Sequence, residues 1–349
     1  MRPAAVAIAL AAMALFAAGP GALPASAGAA SASAAPARAA GDGAASPLIA
    51  VVAETATSSE LLAKEGSLSA SWHVEYKPLD SHEVAIATDS RHGPLIALIT
   101  NSGDVLAKEG SLSAGWHHEY SGGDATEIAV ASDPVHGPLI VVRTSRGKVL
   151  AKEGSLSARW HTEYPSGVLH IAAAIDSAHG PLIGLATDSK QILVKEGSLS
   201  ASWHHEYSGA QQIAVASDAR HGPLIATITD STSELLVKEG SLSAGWNHEK
   251  SGVVSMALAS DATHGPLIAA VLWEPEQDLG DLLVKEGRLT AGWNHEHPHV
   301  GSVSLGSDPV YGPMIGMLTY TPRAYVKIGK LTAGWHHEWG AAFTVEVAD

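Results

Sequence analysis

The chain has 349 residues, 46% of them hydrophobic but only 5% aromatic, with 35 Gly and 18 Pro. That profile describes many short elements joined by turns around small aliphatic side chains, and it disfavours a helical bundle. Lys and Arg number 21 against 36 Asp and Glu, a formal charge of −15, which repels phosphate backbones and anionic lipid headgroups and argues against nucleic acid or a membrane surface as partner.

The first residues address the compartment. Arg2 precedes an apolar run from Ala4 to Ala18, then Gly19, Pro20 and Pro24, then the small-x-small sequence Ala25, Ser26, Ala27. This is the order of a signal peptide over residues 1–27. Its apolar part is about 15 residues, short of the roughly 20 a membrane helix needs, so a secreted, extracellular protein without membrane insertion is expected. Residues 28–45 are nearly all Ala, Ser and Gly and read as a flexible leader. The absence of cysteine excludes disulfides, thiolate metal sites and thiol catalysis.

Residues 46–349 form a repeat array. The phrase LysGluGlySerLeuSerAla begins at Lys64, Lys108, Lys152, Lys195 and Lys238, and varies to LysGluGlyArgLeuThrAla at Lys285 and LysIleGlyLysLeuThrAla at Lys327. Each copy is closed by a tryptophan, Trp72, Trp116, Trp160, Trp203, Trp246, Trp293 or Trp335, at spacings of 44, 44, 43, 43, 47 and 42 residues. The longest spacing contains a polar insert around Glu274 to Asp281, which maps to a loop.

Four short runs with strand character fill each period. In the third unit they begin at Ile128, Pro138, Lys148 and Trp160, separated by Gly, Pro, Ser and Asp clusters that form turns. Four strands per period of about 43 residues is the footprint of a propeller blade, and no 3.6-residue apolar rhythm competes with it. The small residues Ala129, Ala131, Ala172, Ala174, Ala214 and Ala216 in the first run suit the crowded strands around a propeller axis. The array opens in mid-blade at Pro47 and ends with an orphan strand from Phe343. An all-β, seven-bladed propeller closed by the C-terminal strand entering the N-terminal blade is therefore predicted, and closure removes exposed sheet edges.

Between the first and second runs, Asp and His recur three residues apart before Gly and Pro, as in Asp89 with His92 and Asp133 with His136. The pair resembles an Asp–His catalytic couple, but no nucleophile repeats beside it to complete a triad, and Asp is a turn former. The ring of these aspartates, Asp89 through Asp308 with Asp349, is also a conceivable cation collector at the channel mouth. The adjacent Lys and Glu of each repeat face opposite sides of their strand. They are expected to be solvated or paired across strands, at well under 1 kcal/mol where exposed.

The fourth run carries the candidate site. Strand alternation places Trp116, His118 and Tyr120 on one face, an aromatic plane suited to a sugar ring, and His117 with Glu119 on the other. His161 with Glu163, His204 with Glu206, and Asn247 with Glu249 repeat the second set. A His and a carboxylate on one face could begin a metal site, but Asn247 and Asn294 replace His in two units, and neutral amides are weak zinc ligands. A polar network remains, either gripping ligand hydroxyls or holding the outer strand to its neighbour. No metal or other cofactor is expected.

The repeated Lys-Glu-Gly-x-Leu-x-Ala-x-Trp, followed by His or Asn, Glu and an aromatic residue, resembles the tectonin-type β-propeller lectins and related seven-bladed modules of secreted bacterial proteins. The likeness runs from about Pro47 to Asp349. It implies binding of exposed or methylated sugars in shallow pockets between blades, with tryptophan as platform; the recurrent His after Trp is not part of that pattern. Near-identical units also suit multivalency better than catalysis, which needs unlike groups in unlike roles. The expectation is a non-enzymatic lectin for glycans or glycoconjugates. A structural or protein-interaction ring is the second reading, and a hydrolase with a site at the axis the third.

Overall fold

The computed structural model describes residues 46–55, 58–79, 83–274 and 279–348. They form twenty-eight strands in seven four-stranded antiparallel sheets arranged as a seven-bladed β-propeller. The signal peptide (1–27), the leader (28–45), Asp349 and residues 275–278 of the insert lie outside the described residues.

Blade 3 shows how the sequence builds each unit. Its strands run Ala125–Asp133, Gly137–Thr144, Val149–Glu153 and His161–Tyr164, hydrogen-bonded in that order. The second strand is an almost continuous apolar run because neighbouring blades cover both of its faces, and seven of its eight residues are buried. The first strands of successive blades pack against one another around the axis, where Ala129, Ala172, Ala174 and Ala214 line the centre half-buried.

The aspartate at the end of each first strand is a turn former. Asp133 Oδ1 accepts the backbone N–H groups of Val135 and His136 and lies 2.8 Å from the His136 ring. The second oxygen joins neighbouring blades: Ser132 donates to Asp89, Ser217 to Asp176, Ser260 to Asp218 and Ser307 to Asp261. Burial alone would raise Asp89, Asp176 and Asp218, but these serine and backbone donors hold all three carboxyls below the usual range. Ile175 occupies the serine position facing Asp133, whose buried Oδ2 has no partner among the described residues. No group of three or more potential metal ligands is found among the described residues.

Ring closure follows the predicted route. Ala342–Ala348 pairs antiparallel with Leu48–Glu54, with Ala348 opposite Leu48 and Ala342 opposite Ala53, and completes blade 1. The apolar core is divided among seven clusters, each lying between two neighbouring blades. Between blades 2 and 3, for example, Ala97, Val105 and Ala107 meet Ile128, Ile140 and Val142. Each blade therefore depends on its neighbours for burial.

Candidate functional site at the blade boundaries

The outer strands do not keep simple alternation. In blade 2, Ala107 lies opposite His117 and Leu106 opposite His118, but Val105 lies opposite Tyr120, so Glu119 is an extra, bulged residue. The same shift occurs in every blade, at Glu75, Glu163, Glu206, Glu249, Glu296 and Glu338. A bulge reverses the side-chain order beyond it. Tyr120 therefore turns away from Trp116 and packs against Trp160 of blade 3, while Trp116 packs against Tyr76 of blade 1. The aromatic plane of Trp116, His118 and Tyr120 expected from alternation is replaced by aromatic pairs that cross between blades.

The bulged glutamates also cross the boundary. Glu119 pairs with Lys152 of blade 3, and both side chains are only 3% exposed. Equivalent pairs join Glu75 to Lys108, Glu163 to Lys195, Glu206 to Lys238, Glu249 to Lys285, Glu296 to Lys327 and Glu338 to Lys64, the last at 2.5 Å across the ring closure. The lysines, expected to be solvated or paired across strands, are in fact paired across blades and are among the most buried side chains of the molecule. Desolvation of both charges is offset by a close opposite charge and by a further bond, as when Lys195 donates to the Leu199 carbonyl at 2.6 Å.

Tryptophan completes this clamp. Trp160 Nε1 donates to the Glu119 carbonyl at 2.8 Å, the Lys152 ammonium lies 5.1 Å from the ring centroid, and Tyr120 meets the ring edge-on at 6.4 Å. Trp116, Trp203, Trp246 and Trp335 donate in the same way to Glu75, Glu163, Glu206 and Glu296. Lysine also overlies Trp72 and Trp293. All seven indoles are half-buried.

Beside this clamp a cleft of about 350 Å³ opens between blades 2 and 3. It is lined by Glu109, His117, His118 and Glu119 on one side and by Ser155, Leu156 and Ser157 on the other. Of the residues proposed from sequence, His117 and Glu119 meet here, with the Glu119 carboxylate already committed to Lys152. Trp160 is not among the lining residues, although it shares an apolar cluster with Leu156. By repetition, His161 with Glu163, His204 with Glu206 and Asn247 with Glu249 occupy the same place at later boundaries.

Sequence reasoning passed over the serines. Ser155 and Ser157 lie 3.0 Å apart through their hydroxyls, and Ser67 with Ser69, Ser111 with Ser113, Ser198 with Ser200 and Ser241 with Ser243 repeat the arrangement. The available signal was their survival at i and i+2 in five repeats although the loop exposes them. Deeper in the same region, Glu75 Oε1, Glu163 Oε1 and Glu206 Oε1 are buried and have no hydrogen-bond partner among the described residues. Burial also raises Glu109, Glu153 and Glu196 above the ordinary carboxylate value.

No protein-family model matches the chain, and neither does any curated protein. Solved structures do resemble it. A lectin from Burkholderia pseudomallei, BP39L, is 11% identical, with 85% of this chain and 95% of that chain covered at a TM-score of 0.59. The SapL1 lectin in complex with alpha methyl fucoside is 13% identical over 75% of this chain and 97% of its own, at 0.52. BBS1N in complex with ARL6DN reaches the same 0.52 at 14% identity, covering 79% of this chain and 86% of that one. A ring shared by lectins and by a protein-binding domain identifies the fold.

Proposed function

We propose that the protein is a secreted, non-enzymatic, multivalent carbohydrate-binding propeller whose quasi-equivalent sites are the clefts between neighbouring outer strands. The observation that carries this reading is the cleft itself. Blade-to-blade packing accounts for the repeated Trp, Lys and buried Glu, but not for the exposed His or Asn and the exposed Ser pairs kept on its two walls. The lectin folds of BP39L and SapL1 agree with this reading. Export rests on the sequence of residues 1–27, and multivalency on the repetition, since linked weak sites gain avidity on a surface that displays repeated sugars.

The test separates binding from folding. Replacing Trp would damage the clamp, and His336 contacts the clamp residue Glu338 at 3.0 Å, so the informative variant is His73→Ala, His117→Ala, His161→Ala and His204→Ala together, all at exposed positions. On a glycan array and by calorimetry, the wild-type protein should bind a glycan with several sites per chain. The variant should lose most of that binding at an unchanged melting temperature. Absence of binding to any glycan, or binding indifferent to all four changes, would move the assignment to a structural or protein-interaction ring.

A further inference from the structure

The repeats conceal a correlation that only the ring geometry exposes. Asn replaces His at the start of the outer strand in blades 5 and 6, Asn247 and Asn294, whereas the serine of the loop is replaced in blades 6 and 7, by Arg288 and Lys330. Taken repeat by repeat the exchanges are out of step. The cleft, however, joins the outer strand of one blade to the loop of the next, as His117 and Ser155 show. Across that boundary they coincide: Asn247 falls with Arg288, and Asn294 with Lys330. The other five boundaries pair His73 with Ser111, His117 with Ser155, His161 with Ser198, His204 with Ser241 and His336 with Ser67.

We infer that the ring carries two kinds of site, five His/Ser clefts for neutral sugars and two Asn/cation clefts, between blades 5 and 6 and between blades 6 and 7, for sugars bearing an anionic group. This inference rests on the carbohydrate-binding reading and refines it.

Three observations support the division. Arg288 and Lys330 are exposed, and neither makes an ion pair or side-chain hydrogen bond among the described residues, so each charge is free for a guest. Their partners Asn247 and Asn294 use the side-chain amide only for a long 3.4 Å bond to the carbonyl of Val237 or Val284. They put a neutral donor where a protonated histidine would add a second positive charge beside the cation. Finally, the Glu249 and Glu296 carboxylates at these two boundaries are paired with Lys285 and Lys327, so they do not draw Arg288 or Lys330 into an ion pair. A guanidinium or ammonium beside an amide and the Thr290 or Thr332 hydroxyl supplies donors, the complement of a carboxylate or sulfate.

The test compares wild-type protein with the Arg288→Ser/Lys330→Ser variant on an array of short glycans printed as acidic and neutral counterparts. Uronate, sialylated and sulfated members distinguish the source of the negative charge, and calorimetry on the best acidic and neutral hits gives the stoichiometry. Wild-type protein should bind acidic glycans at two sites per chain. The variant should bind them at least about tenfold more weakly, the loss of one charge-assisted hydrogen bond, with neutral binding and melting temperature unchanged. An Arg288→Lys/Lys330→Arg exchange should keep acidic binding. Neutral binding without acidic binding, or acidic binding that survives removal of both cations, overturns the two-site inference and leaves the lectin reading standing. Failure to bind any glycan overturns both.

Discussion

Glu119 shows how one residue can serve packing while looking like a binding group. Its carboxylate reaches Lys152 of the next blade and its carbonyl accepts Trp160 Nε1. Burial pulls the Lys152 ammonium down to about 8, which still leaves it charged at neutral pH, so removing the carboxylate strands a buried charge. Glu119→Ala should therefore destabilise the protein by about 3 kcal/mol, at the lower end for a broken buried pair because Lys152 retains the Leu156 carbonyl and the Trp160 ring. The double change Glu119→Met/Lys152→Met removes both charges and should recover most of the loss. Urea unfolding at neutral pH reads both values. A wild-type midpoint for Glu119→Ala would show that the pair does not hold the blades together.

At the scale of the element, the hairpin joining first and second strands is tied to the loop joining third and fourth. Gly137 has φ of +75°, and a Cβ there would lie 2.9 Å from the Gly154 carbonyl oxygen. Gly137→Ala should cost about 2 kcal/mol through left-handed strain and that backbone contact, seen as a lower urea midpoint; an unchanged midpoint would mean the two loops can part freely. The architecture was legible in the sequence because it rests on period. Ala-rich first strands, turn residues and an orphan C-terminal strand each repeat or fail to repeat in plain view. The site was less legible because it depends on one residue of register. Glu119 is an ordinary strand residue by composition, yet its bulge sends Tyr120 to the opposite face from the one alternation gives it. His117 and Ser155 are 38 positions apart in different repeats, and only the packing of blade on blade makes them one cleft. The buried lysines were missed for a similar reason: their partners lie in another repeat, beyond any local pattern.

At the scale of the molecule, stability turns on closing the ring. The strand Ala342–Ala348 fills the inner edge of Leu48–Glu54, and its side chains reach into two interfaces. Val345 and Val347 join the cluster between blades 7 and 1, and Ala348 joins that between blades 1 and 2. Glu346 adds a polar tie, accepting from Ser304 of blade 7 at 2.7 Å. Because each cluster needs two blades, loss of this strand weakens both sides of blade 1 and also bares a row of unpaired backbone groups on Leu48–Glu54, an apolar edge prone to pairing with another chain. A chain truncated after Gly340 should melt at a lower temperature and over a broader range than the full chain, and light scattering after gel filtration should find dimers or larger species. A synthetic peptide covering residues 341–349, added in excess, should restore the full chain's oligomeric state and much of the lost melting temperature, by supplying in trans the strand that the chain normally supplies to itself. If the truncated protein keeps the full chain's oligomeric state and melts as the full chain does, the seam between the two ends carries no more of the stability than any other edge, and the ring is held by its blade interfaces alone.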